Sequence, residues 1–177
     1  PGYEPAMTDP VGFYTAVILA AMYPGEHASD LIATLRISTK TMRRIVNVGA
    51  ALASVKAMTY QQLDSKEFLE YVARTALLLK DDRLAPWLIL LARDPDEKIR
   101  RIHLKAEALF EQKVKPLIEA GPIISGIELI EEMDKQPGPW VSEALEALFF
   151  GRLFGHVSDR HSAIQFIKRF IRDSRFD

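Results

Sequence analysis

The chain has 177 residues, 48% of them hydrophobic, which is enough to bury one sizeable core or two small helical ones sharing an interface. Its 23 Lys and Arg against 24 Asp and Glu leave a net charge of -1, so the overall charge announces no nucleic-acid partner. The absence of cysteine excludes a disulfide framework and a thiolate zinc site; no apolar run is long enough to span a bilayer and none follows a basic leader, so a soluble protein without membrane association is expected, and a reducing cytoplasm fits.

Helical periodicity and helix punctuation dominate, and no alternating run bounded by hairpin turns occurs. The expected fold class is therefore all-α, with a multi-helix body over 1–120 and a smaller helical tail over 121–177. Asp9-Pro10 places an N-cap and an N1 proline before an apolar helix over 11–23, which Pro24-Gly25 ends, and a shorter helix follows over 28–35. Ser38 or Thr39 caps a third helix whose apolar face runs through Met42, Ile45, Val46, Gly49, Leu52 and Ala53. Asp64 and Glu67 have the spacing of a capping box before Phe68, Tyr71, Val72 and Leu79.

Pro86-Trp87 opens or kinks the next apolar helix, which ends near Arg93. Asp94-Pro95 then predicts an N-cap and N1 for a helix through Ile99, Ile102, Ala106 and Leu109, which Lys115-Pro116 disfavours continuing. Gly121-Pro122 forces a turn at the boundary between body and tail. Ser125 and Glu128 form another capping box, for a short helix over 127–133. Pro139 sits at N1 of a helix reaching Phe150, and Ser158 caps a last helix with Ile164, Ile167, Phe170 and Ile171 inside.

No catalytic or metal site emerges. His27, His103, His156 and His161 lack metal-ligand spacing and fit solvated or capping roles. Asp94-Pro95-Asp96 has the outline of a two-metal carboxylate pair, but the proline and the acids suit a helix start better. Residues 31–63 hold Arg36, Lys40, Arg43, Arg44 and Lys56 without an acid. The spacing of Lys40, Arg43 and Arg44 places them together as a strip for phosphates, or as a solvated face paired to acids elsewhere. Lys168, Arg169, Arg172 and Arg175 form a second basic cluster, opposite the apolar face of the last helix. At Pro137-Gly138-Pro139 the stiff turn is one reading; the other is a phosphate received near Gly138 by the helix start, with Lys135 beside it. Trp140 is either core or a stacking platform.

Two stretches carry a family resemblance. Ser125-Gly126 through Leu129-Ile130, followed by Pro137-Gly138-Pro139-Trp140-Val141 and Ala144-Leu145, resembles the tail region of the class II tRNA nucleotidyltransferases, the CCA-adding enzymes, and of the related bacterial poly(A) polymerases. Leu35-Arg36-Ile37-Ser38-Thr39-Lys40, continuing to Arg43-Arg44-Ile45, is similar to a stretch of their helical body, with Thr41 where a glutamate is usual. In such enzymes a head holds paired aspartates and magnesium, a neck selects CTP or ATP, and body and tail grip the tRNA.

The resemblance thus implies an RNA-binding, tRNA-positioning portion lacking the catalytic head. It would have no catalytic residues and no cofactor of its own, and Lys40, Arg43, Arg44, Lys135 and Gly138 would face the RNA. The alternative is a noncatalytic interaction or homodimerisation module on the same scaffold, motivated by the near-neutral charge and by Phe149, Phe150 and Phe154, which read as exposed.

Overall fold

A computed structural model describes residues 39–56, 63–80, 83–93 and 96–173. The regular structure among these residues is entirely helical, as the all-α expectation requires. The helices expected over 11–23 and 28–35 lie outside the described residues. The chain divides into two compact units, Pro1–Phe110 and Glu111–Asp177, and the Gly121-Pro122 turn falls within the second.

In the first unit, α1 (Thr39–Lys56) packs against α2 (Lys66–Leu79) and α3 (Ala85–Arg93), and α4 (Glu97–Leu109) packs against α2 and α3. The core takes Ile45, Val48, Leu52 and Val55 from α1, Phe68, Val72 and Leu79 from α2, Trp87 and Ile89 from α3, and Ile102 from α4. The buried face of α1 differs from the expected one: Val48, Ala51 and Val55 point inward, while Ala53 is exposed and Val46 is 51% exposed. From Val46 to Val55 α1 carries mostly apolar or small residues on every side, so periodicity alone leaves its orientation to the helices packed on it.

Two caps of the first unit lie one or two residues later than their spacing predicts. Ser65, not Asp64, caps α2: it has extended backbone, and its hydroxyl accepts from Phe68 N at 3.2 Å. Asp64 accepts instead from Lys105 Nζ on α4. α4 begins after Asp96, whose carboxylate accepts from Lys98 N at 3.0 Å, rather than after Asp94. Any of these residue types can cap; the winner is the one whose backbone is extended where the first free N–H groups come within reach.

Phe110–Val114 forms a π-helical turn, and α5 (Lys115–Ala120) follows with Pro116 in its first turn. The expected stop at Lys115-Pro116 is thus a change of helix type. Proline lacks the N–H that would reach back four residues and its ring crowds that carbonyl, which the wider turn accommodates. The Arg83 guanidinium lies 4.1 Å from the centroid of the Phe110 ring and pairs with Glu107 at 3.2 Å.

In the second unit α7 (Pro139–Leu153) is central, with α5, α6 (Gly126–Met133) and α8 (Arg160–Asp173) packed on it. Ile124, Leu129, Trp140, Ala144, Leu148, Val157, Ala163 and Ile167 form its buried core. Fully burying a side chain such as Leu129 or Ile167 contributes about 1.5–3 kcal/mol. The capping box is present as expected: Glu128 N donates to Ser125 Oγ at 3.3 Å, and Ser125 N donates to Glu128 Oε2 at 2.8 Å. The last helix is capped by Asp159 rather than Ser158, since the Asp159 carboxylate accepts from Ser162 N at 2.8 Å.

The Ser125-Gly126 and Pro139-Trp140-Val141 segments meet. A Cβ on Gly126 would lie 3.2 Å from Val141 Cγ1, so the glycine sets how closely α6 approaches α7. At the far end of α7 the chain folds back so that His156 N and Val157 N donate to Gly151 O at 2.7 and 3.1 Å. A Cβ at Gly151 would come within 2.9 Å of Val157 Cγ2.

Gly151→Ala should therefore cost about 1–3 kcal/mol through overpacking, read as a lower thermal midpoint. The other prediction concerns acid. The Ser125 N–H, then the Ser125 hydroxyl and the Arg160 guanidinium, hold the Glu128 carboxyl down at about 2 from its ordinary 4.5. Because the folded value is the lower one, the stabilisation is present above 4.5 and is lost as pH falls from there through about 2. Helicity followed against pH should show this loss in the wild type, and Glu128→Gln should flatten it over that interval.

Candidate nucleic-acid interface

α1 supplies the basic strip. It contains no acidic residue, and its first turn carries Lys40, followed by Arg43. Lys40 and Arg43 are exposed, while Arg44 is half-buried and engaged within the protein. One helical step is about 100°, so Arg44 falls on the side of Ile45 and Val48, away from Arg43. The strip presented to solvent is thus Lys40 and Arg43, with Asn47 one turn beyond.

This placement opposes helix electrostatics. The first turn exposes unpaired N–H groups and the positive end of the helix dipole, where acids stabilise and cations destabilise by about 0.3–1 kcal/mol each. α2, α4 and α6 follow the rule, carrying Glu67, Glu97 and Glu128 in their first turns. α1 breaks it. The amides and Lys40 put charge of one sign at its N-terminal end, which favours an anion there.

The second predicted contact lies in the α6–α7 connection. Asp134 ends α6 in a left-handed conformation, and Lys135 N donates to Ile130 O at 3.4 Å. Lys135 is half-buried, and Glu131, Glu132 and Asp134 precede it within one turn. Gly138 is the N-cap of α7 with extended backbone and no side-chain cap, and Pro139 takes N1 as expected. Trp140 is core: it is 7% exposed, and its indole N–H donates to Gln136 O at 2.8 Å. The N–H orients the ring inward, which removes it as a stacking surface.

Phe149, Phe150 and Phe154 are half-buried rather than exposed. Phe150 stacks on Phe154 at 6.1 Å and meets Phe149 edge-on at 5.6 Å. The i and i+4 spacing brings Phe150 and Phe154 together on one face of the helix end. His156 and His161 are exposed as expected. His103 is not: it packs against Trp87 at 5.5 Å with Nδ1 buried, and burial, reinforced by Arg83, lowers its pKa.

Among the described residues no group of three His, Asp or Glu side chains could hold a metal ion. Asp96, one half of the suspected carboxylate pair, is spent on its cap; Asp94 lies outside the described residues. No helix among the described residues is long and apolar enough to cross a membrane.

No curated protein and no solved structure matches the chain. The family model described as tRNA nucleotidyltransferase domain 2 matches residues 8–167, a span that includes α1, the α6–α7 pair and most of α8. An all-helical chain carrying both segments of the resemblance and matched over nearly its whole length by this model belongs to the tRNA nucleotidyltransferase domain 2 family.

Proposed function

We propose that the chain is an RNA-binding, tRNA-positioning portion of a nucleotidyltransferase, of the CCA-adding or poly(A)-synthesising kind, and that Lys40 and Arg43 contact RNA phosphates. The observation that carries this reading is the acid-free start of α1, where exposed Lys40 occupies the first turn, in which a cation costs stability, and exposed Arg43 follows it on the same face. A surface that lowers stability to concentrate positive charge is suited to a polyanion, and phosphate contacts fix register and orientation without reading sequence. Family membership supplies the class of RNA. The half-buried Arg44 supports the strip from its flank. Lys135 and Gly138 add less, because the acids preceding Lys135 offset its charge. On this reading magnesium and CTP or ATP belong to a catalytic head and neck, and the protein works in the cytoplasm.

The test is a comparison of two quantities in one variant. Lys40→Glu should raise stability by about 0.3–1 kcal/mol, because an acid in the first turn complements the helix dipole. Combined with Arg43→Glu it should weaken tRNA binding and reduce the slope of log affinity against log salt by about two. Thermal melting and a gel-shift series across salt concentrations measure the pair of effects. Unchanged affinity in a well-folded double variant would rule out α1 as the phosphate contact.

A further inference from the structure

From α6 onward the second unit separates its exposed charge by helix. On α6 and α7 the exposed charged side chains are Glu131, Glu132, Glu143 and Glu146. On α8 the sequence runs from Arg160 to Asp173 with no acid before its final residue. Ala163 and Ile167 are fully buried, and Ile164, Phe166, Phe170 and Ile171 pack around the same core. The opposite side carries His161, Gln165, Lys168, Arg169 and Arg172, all exposed. At about 100° per residue these five lie within roughly a 100° sector of the helix. Each can donate a hydrogen bond, and none is an acid.

Helix stability does not account for this row. Cations favour the last turn, where the dipole is negative, and Arg172 sits there; the effect fades beyond one turn, short of Lys168 and Arg169. Internal ion pairing does not account for it either. Lys168 lies a long 3.9 Å from Glu132, Arg172 pairs with its own neighbour Asp173, and the Arg169 Nε donates to the Gln165 carbonyl one turn back. The tight pair of the helix is the one formed by Arg160 with Glu128, at the start of α8 and outside the row.

We infer that the exposed row of α8 is a second phosphate-binding surface, taking the sugar-phosphate backbone of a folded RNA, with Glu132 of α6 approaching the row at Lys168. The inference rests on the RNA-binding reading of the chain and extends it to a site in the second unit. Lys168, Arg169 and Arg172 supply charge, and Gln165 and His161 add neutral donors to phosphate or ribose oxygens. Trp140 is buried and the described phenylalanines are buried or half-buried, so the row offers donors rather than rings, the chemistry of backbone recognition instead of base stacking.

The experiment titrates unfractionated tRNA into the full chain by fluorescence anisotropy over a salt series. Lys168→Ala with Arg169→Ala should weaken binding several-fold and lower the salt slope by about two, with helicity retained. Gln165→Glu, which places one acid in the middle of the row without removing an ion pair, should weaken binding as well. Glu143→Lys, on α7, should leave affinity unchanged. Wild-type affinity and slope in the first two variants, alongside a loss in Lys40→Glu/Arg43→Glu, would overturn the α8 site and leave the α1 reading intact. A gain in Glu143→Lys equal to the loss in the α8 variants would overturn it too, by reducing the effect to net charge. A wild-type chain that does not bind tRNA would overturn both.

Discussion

One carboxylate ties the first turn of α6 to the start of α8. Glu128 accepts from the Ser125 backbone N–H and so closes the cap of α6, and its other oxygen takes the Arg160 guanidinium at the start of α8. The residue after it, Leu129, is wholly buried in the core shared with α7 and α8. The cap therefore does more than satisfy the free donors of a short helix. An eight-residue helix is marginal alone, and this one is fixed at its first turn, by its core residue and by an ion pair to a second helix at once. Gly126 lets that turn approach Val141 closely enough for the three attachments to coexist.

The two units handle charge differently. In the second, α6 to α8 collect like exposed charges on separate helices, with Glu128–Arg160 and the longer Lys168–Glu132 approach along the seam between α6 and α8, while Glu111 and Lys115 pair within the segment before them. In the first, opposite charges are interleaved: Asp64 with Lys105, Arg83 with Glu107, Glu97 with Arg101. α1 is the exception within that pattern. Exposed ion pairs contribute little to stability, so segregating or inverting charge costs a helical scaffold only modestly. Surface electrostatics is thus available for recognition while the apolar core sustains the fold.

Much of this was legible in the chain. The Ser125–Glu128 box, Pro139 at N1 and the Pro86 helix start were each readable because the signal lies within four residues and its chemistry is local. The caps of α2, α4 and α8 were misplaced by one or two positions because Asp64-Ser65, Asp94 and Asp96, and Ser158-Asp159 each offer two competent acceptors. Backbone direction, not residue type, chooses between them. The inward face of α1 was misjudged for a related reason: Val46 and Val48 are equally apolar, and only their neighbours tell them apart. The candidate site was legible as a composition, an acid-free basic stretch, but not as a surface. That Arg44 is half-buried and engaged while Arg43 faces solvent depends on how α1 is rotated against α2 and α3.

By itself, then, the sequence determined the all-helical class, most helix starts and the family, because these follow from periodicity, caps and motif residues read along the chain. Only the tertiary structure decided which cations are presented, that Trp140 and the phenylalanine cluster are packed rather than offered to a ligand, and that Ser125-Gly126 and Val141 make one contact from two separated motifs. Those outcomes depend on which faces of different helices meet. Contacts between distant residues are set by the whole core at once, so no local stretch of sequence specifies them.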